Sequence, residues 1–119
     1  MIKTSELRRN DLVLFSSIDS DTYYFTGACV NKVIGDKVIL HLEHLGTSLM
    51  LLINEKDLYP LNLSDKYVEN IKVKGLKKKS RGVYEYKGHT VRSMHELQNV
   101  IFKEENREIY KDDVEEVEL

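Results

Sequence analysis

The sequence predicts an α+β fold: a small, bent antiparallel sheet or SH3-like barrel, then a short helix, a hairpin and a C-terminal helix. Three observations carry that expectation. Short apolar runs alternate with turn residues through the first 60 positions, the spacing of several short strands joined by tight turns. A serine opens an apolar-periodic stretch soon after the only proline, Pro60. A second serine, Ser93, precedes a run with apolar residues at helical spacing.

The strands come first. LVLF at 12–15 is the first run, and DSDT at 19–22 reads as a loop tip. YYFTGACVNKVIGDKVILHLEHLG then reads as two strands joined at Gly35-Asp36, a connection suited to the mirror-image hairpin turns. With Ile34 and Lys37 flanking the turn, Val33 falls opposite Val38, Asn31 opposite Leu40 and Cys29 opposite Leu42. The two-residue period then places Cys29, Val33, Val38, Leu40 and Leu42 on one face and Ile39, His41 and Glu43 on the other. SLMLLI at 48–53 is a further strand, Asn54 to Asp57 a polar turn, and LYPL the exit from the sheet, since proline cannot donate to a ladder.

The helices follow. Ser64 is an N-cap with Asp65 in the first turn, and Tyr67, Val68 and Ile71 form the apolar side of a helix stopped by Gly75. GVYEYKGHTV reads as a hairpin about Lys87-Gly88. Ser93 and Glu96, three apart, carry the capping-box signature, which makes Glu96 a capping residue rather than a general base. Met94, Leu97, Val100 and Ile101 share one arc of the helix, with Gln98 at its edge. An amide there must find a partner, and a strand's backbone is the expected one. His95, Asn99 and Phe102 form an adjoining stripe. The helix fades near Asn106, and REIY at 107–110 offers a short final strand. The expected organisation is a sheet or barrel over 1–61, a helix–hairpin–helix portion over 62–111 packed on it as one domain, and an acidic tail at 112–119.

Composition excludes several classes. A 119-residue chain with 41% apolar residues is long enough for one core without metal or disulfide support. The single cysteine, Cys29, rules out an internal disulfide and a four-thiolate zinc site, and its expected core position makes it an inert thiol. The longest apolar run, Leu49 to Ile53, is five residues against roughly 20 for a bilayer span. With no signal-peptide pattern at the start, the expectation is a soluble cytoplasmic protein with no membrane partner.

Candidate chemistry is sparse. His41 and His44 are three apart in a strand, on opposite faces and poorly placed for one metal. Asp19 and Asp21 lack the glycine and distal glutamate of a calcium loop. No Gly-x-Ser-x-Gly or phosphate loop occurs. No cofactor and no catalytic residue is assigned. A small hydrolase using His89 or His95 is one alternative, requiring one of them in a cleft.

Charge is uneven. Lys72, Lys74, Lys77, Lys78, Lys79 and Arg81 form a basic stretch without an acid, whereas eight acids face two bases from Glu104 onward. Such segments are solvated surface, attract each other within or between copies, or hold an anion. Tyr84, Tyr86 and the stretch Tyr23, Tyr24 and Phe25 offer stacking surfaces for nucleic acid, against which stands a net charge of −2.

ELRRNDLV near the start, LYPLNLSDKYVENIKVKG mid-chain, the YEYKG hairpin and the closing MHELQNVIF together resemble a family of small uncharacterised proteins abundant in Bacteroidetes genomes and in their phages and mobile elements. In that family Glu6, Leu7 and Arg8 match the opening, Leu63 and Ser64 the helix start, and His95, Leu97, Gln98, Asn99 and Phe102 the closing Val-His-Gln-Leu-Gln-Asn-Leu type motif. The family's opening glycine is Arg9 here, its motif glutamine is Glu96, and its paired tyrosines are Ser93 and Ile101. The resemblance implies a phage or mobile-element setting and supplies no chemistry.

The resulting expectation is a non-catalytic binding or interaction module, homo-oligomeric in one version, whose partner is a host protein or a small anionic ligand such as a nucleotide. Its expected ligand-binding residues are Lys77, Lys78, Lys79, Arg81, His95, Asn99 and Phe102, with Ser93, Glu96 and Gln98 structural. A nucleic-acid-binding accessory protein is the other alternative.

Overall fold

Alternating apolar positions between tight turns build the first half of the chain into one sheet. The computed structural model describes residues 2–19, 22–44 and 46–110, and the chain divides into two units, Met1–Leu61 and Asn62–Leu119. The first holds β1 (Leu12–Asp19), β2 (Thr22–Ile34), β3 (Lys37–His44), β4 (Thr47–Asn54) and β5 (Leu58–Pro60). Their order is β4-β3-β2-β1-β5, antiparallel throughout. β4 and β5 are the two edges, so the sheet is bent and open and does not close into a barrel. β5 is short, and Pro60 ends it on an edge, where a missing N–H costs no ladder bond.

The Gly35-Asp36 turn forms as expected, with Ile34 opposite Lys37 and Val33 opposite Val38. Gly35 has φ 60°, the positive value a type II′ turn requires of its first central residue. Beyond Val33 the pairing departs from the simple count. A bulge between Val30 and Lys32 pairs Val30 with Leu40 and Cys29 with His41. One inserted residue, Asn31, shifts every later partner. Cys29 therefore leaves the core face, where it was expected, and lies half-buried across from His41. Val30 takes the inward place.

The inner face carries Val13, Phe15, Ala28, Val30, Val38, Leu40 and Leu58, closed by Ile2 and Leu7 from the N-terminal segment. Val33, Leu42, Leu51 and Ile53 pack at its margin. Side-chain bonds fasten the segment to the sheet. The Thr4 N–H donates to Glu55 Oε2 at 3.0 Å, and the single Thr4 hydroxyl proton is shared between the Gly35 carbonyl at 2.8 Å and Glu55 Oε2 at 3.0 Å. Asp11 Oδ2 accepts the Arg8 N–H at 2.8 Å, fixing the turn that leads into β1.

The second unit contains α1 (Asp65–Val68), β6 (Lys77–Ser80), β7 (Val83–Tyr86), β8 (His89–Val91) and α2 (Met94–Glu105). Ser64 caps α1, its Oγ accepting the Tyr67 N–H at 3.2 Å. The helix is one turn, shorter than the spacing to Ile71 predicts; so brief a helix has little stability of its own and gives way to a turn at Glu69 and Asn70. The expected basic loop is in part a strand, since β6 pairs with β7 across Arg81-Gly82, giving the order β6-β7-β8. The Lys87-Gly88 hairpin is as expected, with φ 46° and 83°, the two positive values of a type I′ turn. Tyr84, Tyr86, Val91, Met94, Leu97 and Ile101 are buried. Asn106 ends α2 in the left-handed region, its N–H bonded to the Phe102 carbonyl at 2.9 Å. Residues 107–110 form no strand, although Ile109 is fully buried.

Candidate functional site

Two surfaces contain the predicted site residues, and a third lies outside them. The first is β6, where Lys77, Lys78, Lys79 and Ser80 are all exposed. Two of the cations already have carboxylates. Lys78 Nζ lies 2.6 Å from Asp65 Oδ2, and Lys79 Nζ lies 2.8 Å from Glu85 Oε2. Asp65 also accepts the Tyr84 hydroxyl on its other oxygen. Lys78 first, and then Tyr84, hold the Asp65 carboxyl below its ordinary range. Burial, then the Asp65 acceptor, push the Tyr84 phenol up to about 12. Beside this trio lies a cleft of ≈ 230 Å³ lined by Leu63, Ser64, Asp65, Lys78, Arg81 and Gly82. It is a mixed-charge surface, and an anion there must compete with Asp65 for Lys78.

The second surface is the start of α2. Ser93 occupies the N-cap position in extended conformation but makes no side-chain cap bond. Its hydroxyl shares a 3.1 Å hydrogen bond with His95 Nδ1, and Glu96 accepts the Arg92 N–H at 3.0 Å, one residue before the cap. The capping box is thus replaced: Ser93 serves the imidazole, and Glu96 alone ties the incoming chain. Ser93 and His95 are both buried, so this hydroxyl–imidazole pair sits inside the second unit and not on its surface. Gln98 is fully buried and donates from Nε2 to the Ile109 carbonyl at 2.8 Å, a backbone partner in an irregular segment rather than a strand. Along the predicted stripe His95 is inside, Asn99 half-buried and Phe102 exposed. α2 packs against β8, at the opposite edge of the sheet from β6. The cleft beside β6 includes none of the stripe residues.

The acids at the end of α2 are also engaged. Glu105 accepts the Tyr86 hydroxyl at 2.6 Å and lies 3.3 Å from Lys87 Nζ and 3.6 Å from Arg107. Glu104 meets His89 Nε2 at 2.9 Å. Glu104 and Glu105 thus meet the Lys87-Gly88 hairpin and Arg107 and not the basic stretch at 72–81. Asp19 and Asp21, the aromatic side chains of residues 23–25, His44 and the acidic tail lie outside the side chains described.

The third surface lies on the outer face of β3 and β4 and carries none of the predicted site residues. Along β3 and β4 the register pairs Leu42 with Leu49, Leu40 with Leu51 and Val38 with Ile53 on the core side. On the outer side it pairs Glu43 with Ser48, His41 with Met50, Ile39 with Leu52 and Lys37 with Asn54. Met50 and Leu52 are 53% and 60% exposed, and Ile34, next to Lys37 on the same face, is 47% exposed. β4 is an edge strand of eight residues, Thr-Ser-Leu-Met-Leu-Leu-Ile-Asn, with neither charge nor proline, and its ladder with β3 has no bulge. Those are the devices by which sheet edges are ordinarily kept from pairing. The signal is legible in the sequence as an uncharged alternating run; its length invites a comparison with membrane spans, which hides its meaning as an edge.

Among the described residues no cluster of three or more His, Cys, Asp or Glu side chains is placed to hold a metal. Among the same described residues no helix is long and apolar enough to cross a membrane. Comparison with protein-family models, with curated proteins and with solved structures finds no match to this chain.

Proposed function

We propose that the chain is a non-catalytic interaction module that engages another polypeptide by strand addition at β4. One observation carries this reading: an eight-residue, uncharged, bulge-free edge strand that presents Met50 and Leu52 beside an open row of backbone donors and acceptors. An edge of that kind supplies affinity through main-chain bonds and selectivity through alternate side chains. The burial of the Ser93–His95 hydroxyl–imidazole pair favours binding over catalysis. A phage or mobile-element setting with a host protein as partner accords with the same reading.

Panning a displayed peptide library against the chain tests it. The expected binders are extended apolar peptides that slow amide exchange of alternate β4 residues and are lost in Leu52→Lys. Binders that leave β4 exchange unchanged, or no binders to a chain that is itself monomeric, refute strand addition.

A second reading keeps a small anion, such as a nucleotide, at Lys77, Lys78, Lys79 and Arg81. The cleft lined by Lys78 and Arg81 favours it, while the pairing of Lys78 with Asp65 and Lys79 with Glu85 weakens it. Replacing all four cations by alanine should abolish nucleotide binding; unchanged affinity would remove this reading. A polynucleotide would show a much steeper salt dependence than a nucleotide.

A further inference from the structure

We infer that the occupant of the β4 edge is a second copy of the same strand, joined antiparallel about a two-fold axis through Leu51. The inference rests on the strand-addition reading above and names its partner.

Two identical strands related by a two-fold axis normal to the sheet pair only residues that lie on the same face, because directly opposed side chains point to one side. The registers available to β4 therefore centre on one residue. Centring on Leu51 pairs Leu51 with its own copy and Leu49 with Ile53 on the core side. On the outer side it pairs Met50 with Leu52 and Ser48 with Asn54. Every apolar residue meets an apolar one and Ser48 meets Asn54, while Thr47, the first residue of β4, falls opposite Glu55 just beyond its end. Centring on Met50 would set Ser48 against Leu52, and centring on Leu52 would set Met50 against Asn54. Both mix polar with apolar on the most exposed rows. Leu51 is the self-consistent centre.

The neighbouring strand agrees. Glu43 lies beside Ser48 and Lys37 beside Asn54. In the Leu51-centred register each Glu43 therefore shares a row with the second copy's Lys37, three strand spacings or roughly 14 Å away. The ends of the joined sheet carry opposite charges facing each other, at both ends by symmetry. Between them the rows Ile39–Leu52 and His41–Met50 join their symmetry mates into one band across four strands, apolar but for His41 at one end of each row. Ten strands would run continuously through the pair, since each sheet contributes five. A single edge pairing buries less than the ~800 Å² per partner of a standard interface, so association should depend on concentration.

Native mass spectrometry and sedimentation over a range of protein concentrations give the first test. The expected result is a species of twice the 13.9 kDa chain mass that grows with concentration and is lost in Leu52→Lys, which sets two ammonium groups near the axis. Disulfide trapping gives the second, in a Cys29→Ser background to remove the native thiol. Mixed Met50→Cys and Leu52→Cys chains should cross-link to each other, because directly opposed residues fall in the Cα range a disulfide spans. Each variant alone should cross-link far less. A dimer insensitive to Leu52→Lys, or one trapped equally well by either variant alone, would overturn this register and partner. A monomer at every concentration would overturn self-pairing outright; peptides from the library that protect β4 would then leave strand addition standing, and their absence would remove both.

Discussion

Tyr84 shows how one buried polar atom organises its surroundings. Its ring is almost wholly buried and its hydroxyl ends on Asp65, a residue whose second oxygen holds Lys78. Burial and the carboxylate both oppose ionisation, so the phenol is pushed up from 10.0 to about 12. The raised value stabilises the fold fully below the unfolded phenol's titration, and the contribution is lost as pH rises through the folded one. Alkaline titration followed by tyrosinate absorbance should show one phenol ionising near 12 in the wild type, missing in Tyr84→Phe. If the phenol that Tyr84→Phe removes is instead one that ionises at the ordinary value, the burial and the Asp65 contact that raise it are absent in solution. Gln98 makes a parallel case. Its amide is the donor to the Ile109 carbonyl, and both residues are fully buried. Gln98→Leu keeps most of the volume and strands the carbonyl, which should cost roughly 1–3 kcal/mol. Denaturant unfolding reads that loss as a lower midpoint at unchanged slope.

Turns and bulges decide the elements. Gly88 holds φ 83° in the β7–β8 hairpin, and a Cβ added there would touch nothing within 4 Å. Gly88→Ala therefore isolates the backbone cost of a left-handed residue, about 1–2 kcal/mol, and thermal unfolding should register it without any loss of packing. A neutral effect would mean that the turn relaxes to another type. Both hairpin turns, at Gly35-Asp36 and Lys87-Gly88, are legible in the sequence because glycine marks the positive φ that the strand twist requires. The apolar arc of α2 is legible for the same kind of reason, local periodicity. What is not legible is non-local. Nothing in GACVNKV announces that Asn31 is extra, yet that single insertion moves Cys29 to the outer face. Lys77 to Ser80 reads as a solvated basic run because an exposed edge strand needs no apolar alternation; its strand state comes from pairing with Val83 to Glu85. The Ser93–Glu96 spacing announces a helix start correctly, but the hydroxyl's choice of His95 over the backbone depends on a buried imidazole. Candidate residues chosen by chemical type gathered the ionic surface of the second unit. The β4 edge is defined by the types it lacks.

Carboxylates govern how the whole molecule responds to acid. In the first unit Glu55 is held below its ordinary 4.5, chiefly by the Thr4 N–H and then by the Thr4 hydroxyl. In the second, Asp65, Glu85 and Glu105 are lowered, in each case first by a side-chain hydrogen bond, from Lys78, Lys79 and Tyr86 respectively. A lowered carboxyl contributes stability above its unfolded value and loses it as pH falls through the folded one. All four groups are solvent-accessible, so each contribution is screened and small; together they should give both units a sloping stability below about pH 4.5. Glu55→Gln separates the units. The amide oxygen can still accept from Thr4, which preserves the tether, but it no longer titrates. Amide signals from the first unit, such as those of Val13 and Val38, should then become less sensitive to acid, while those of Leu97 and Val91 in the second unit keep their wild-type dependence. Equal changes in both sets would show that the two units unfold as one cooperative body. An unchanged first unit would show that its acid response arises from carboxylates other than Glu55. The chain contains no tryptophan, so residue-resolved amide spectra, rather than fluorescence, are the measurement that distinguishes these outcomes.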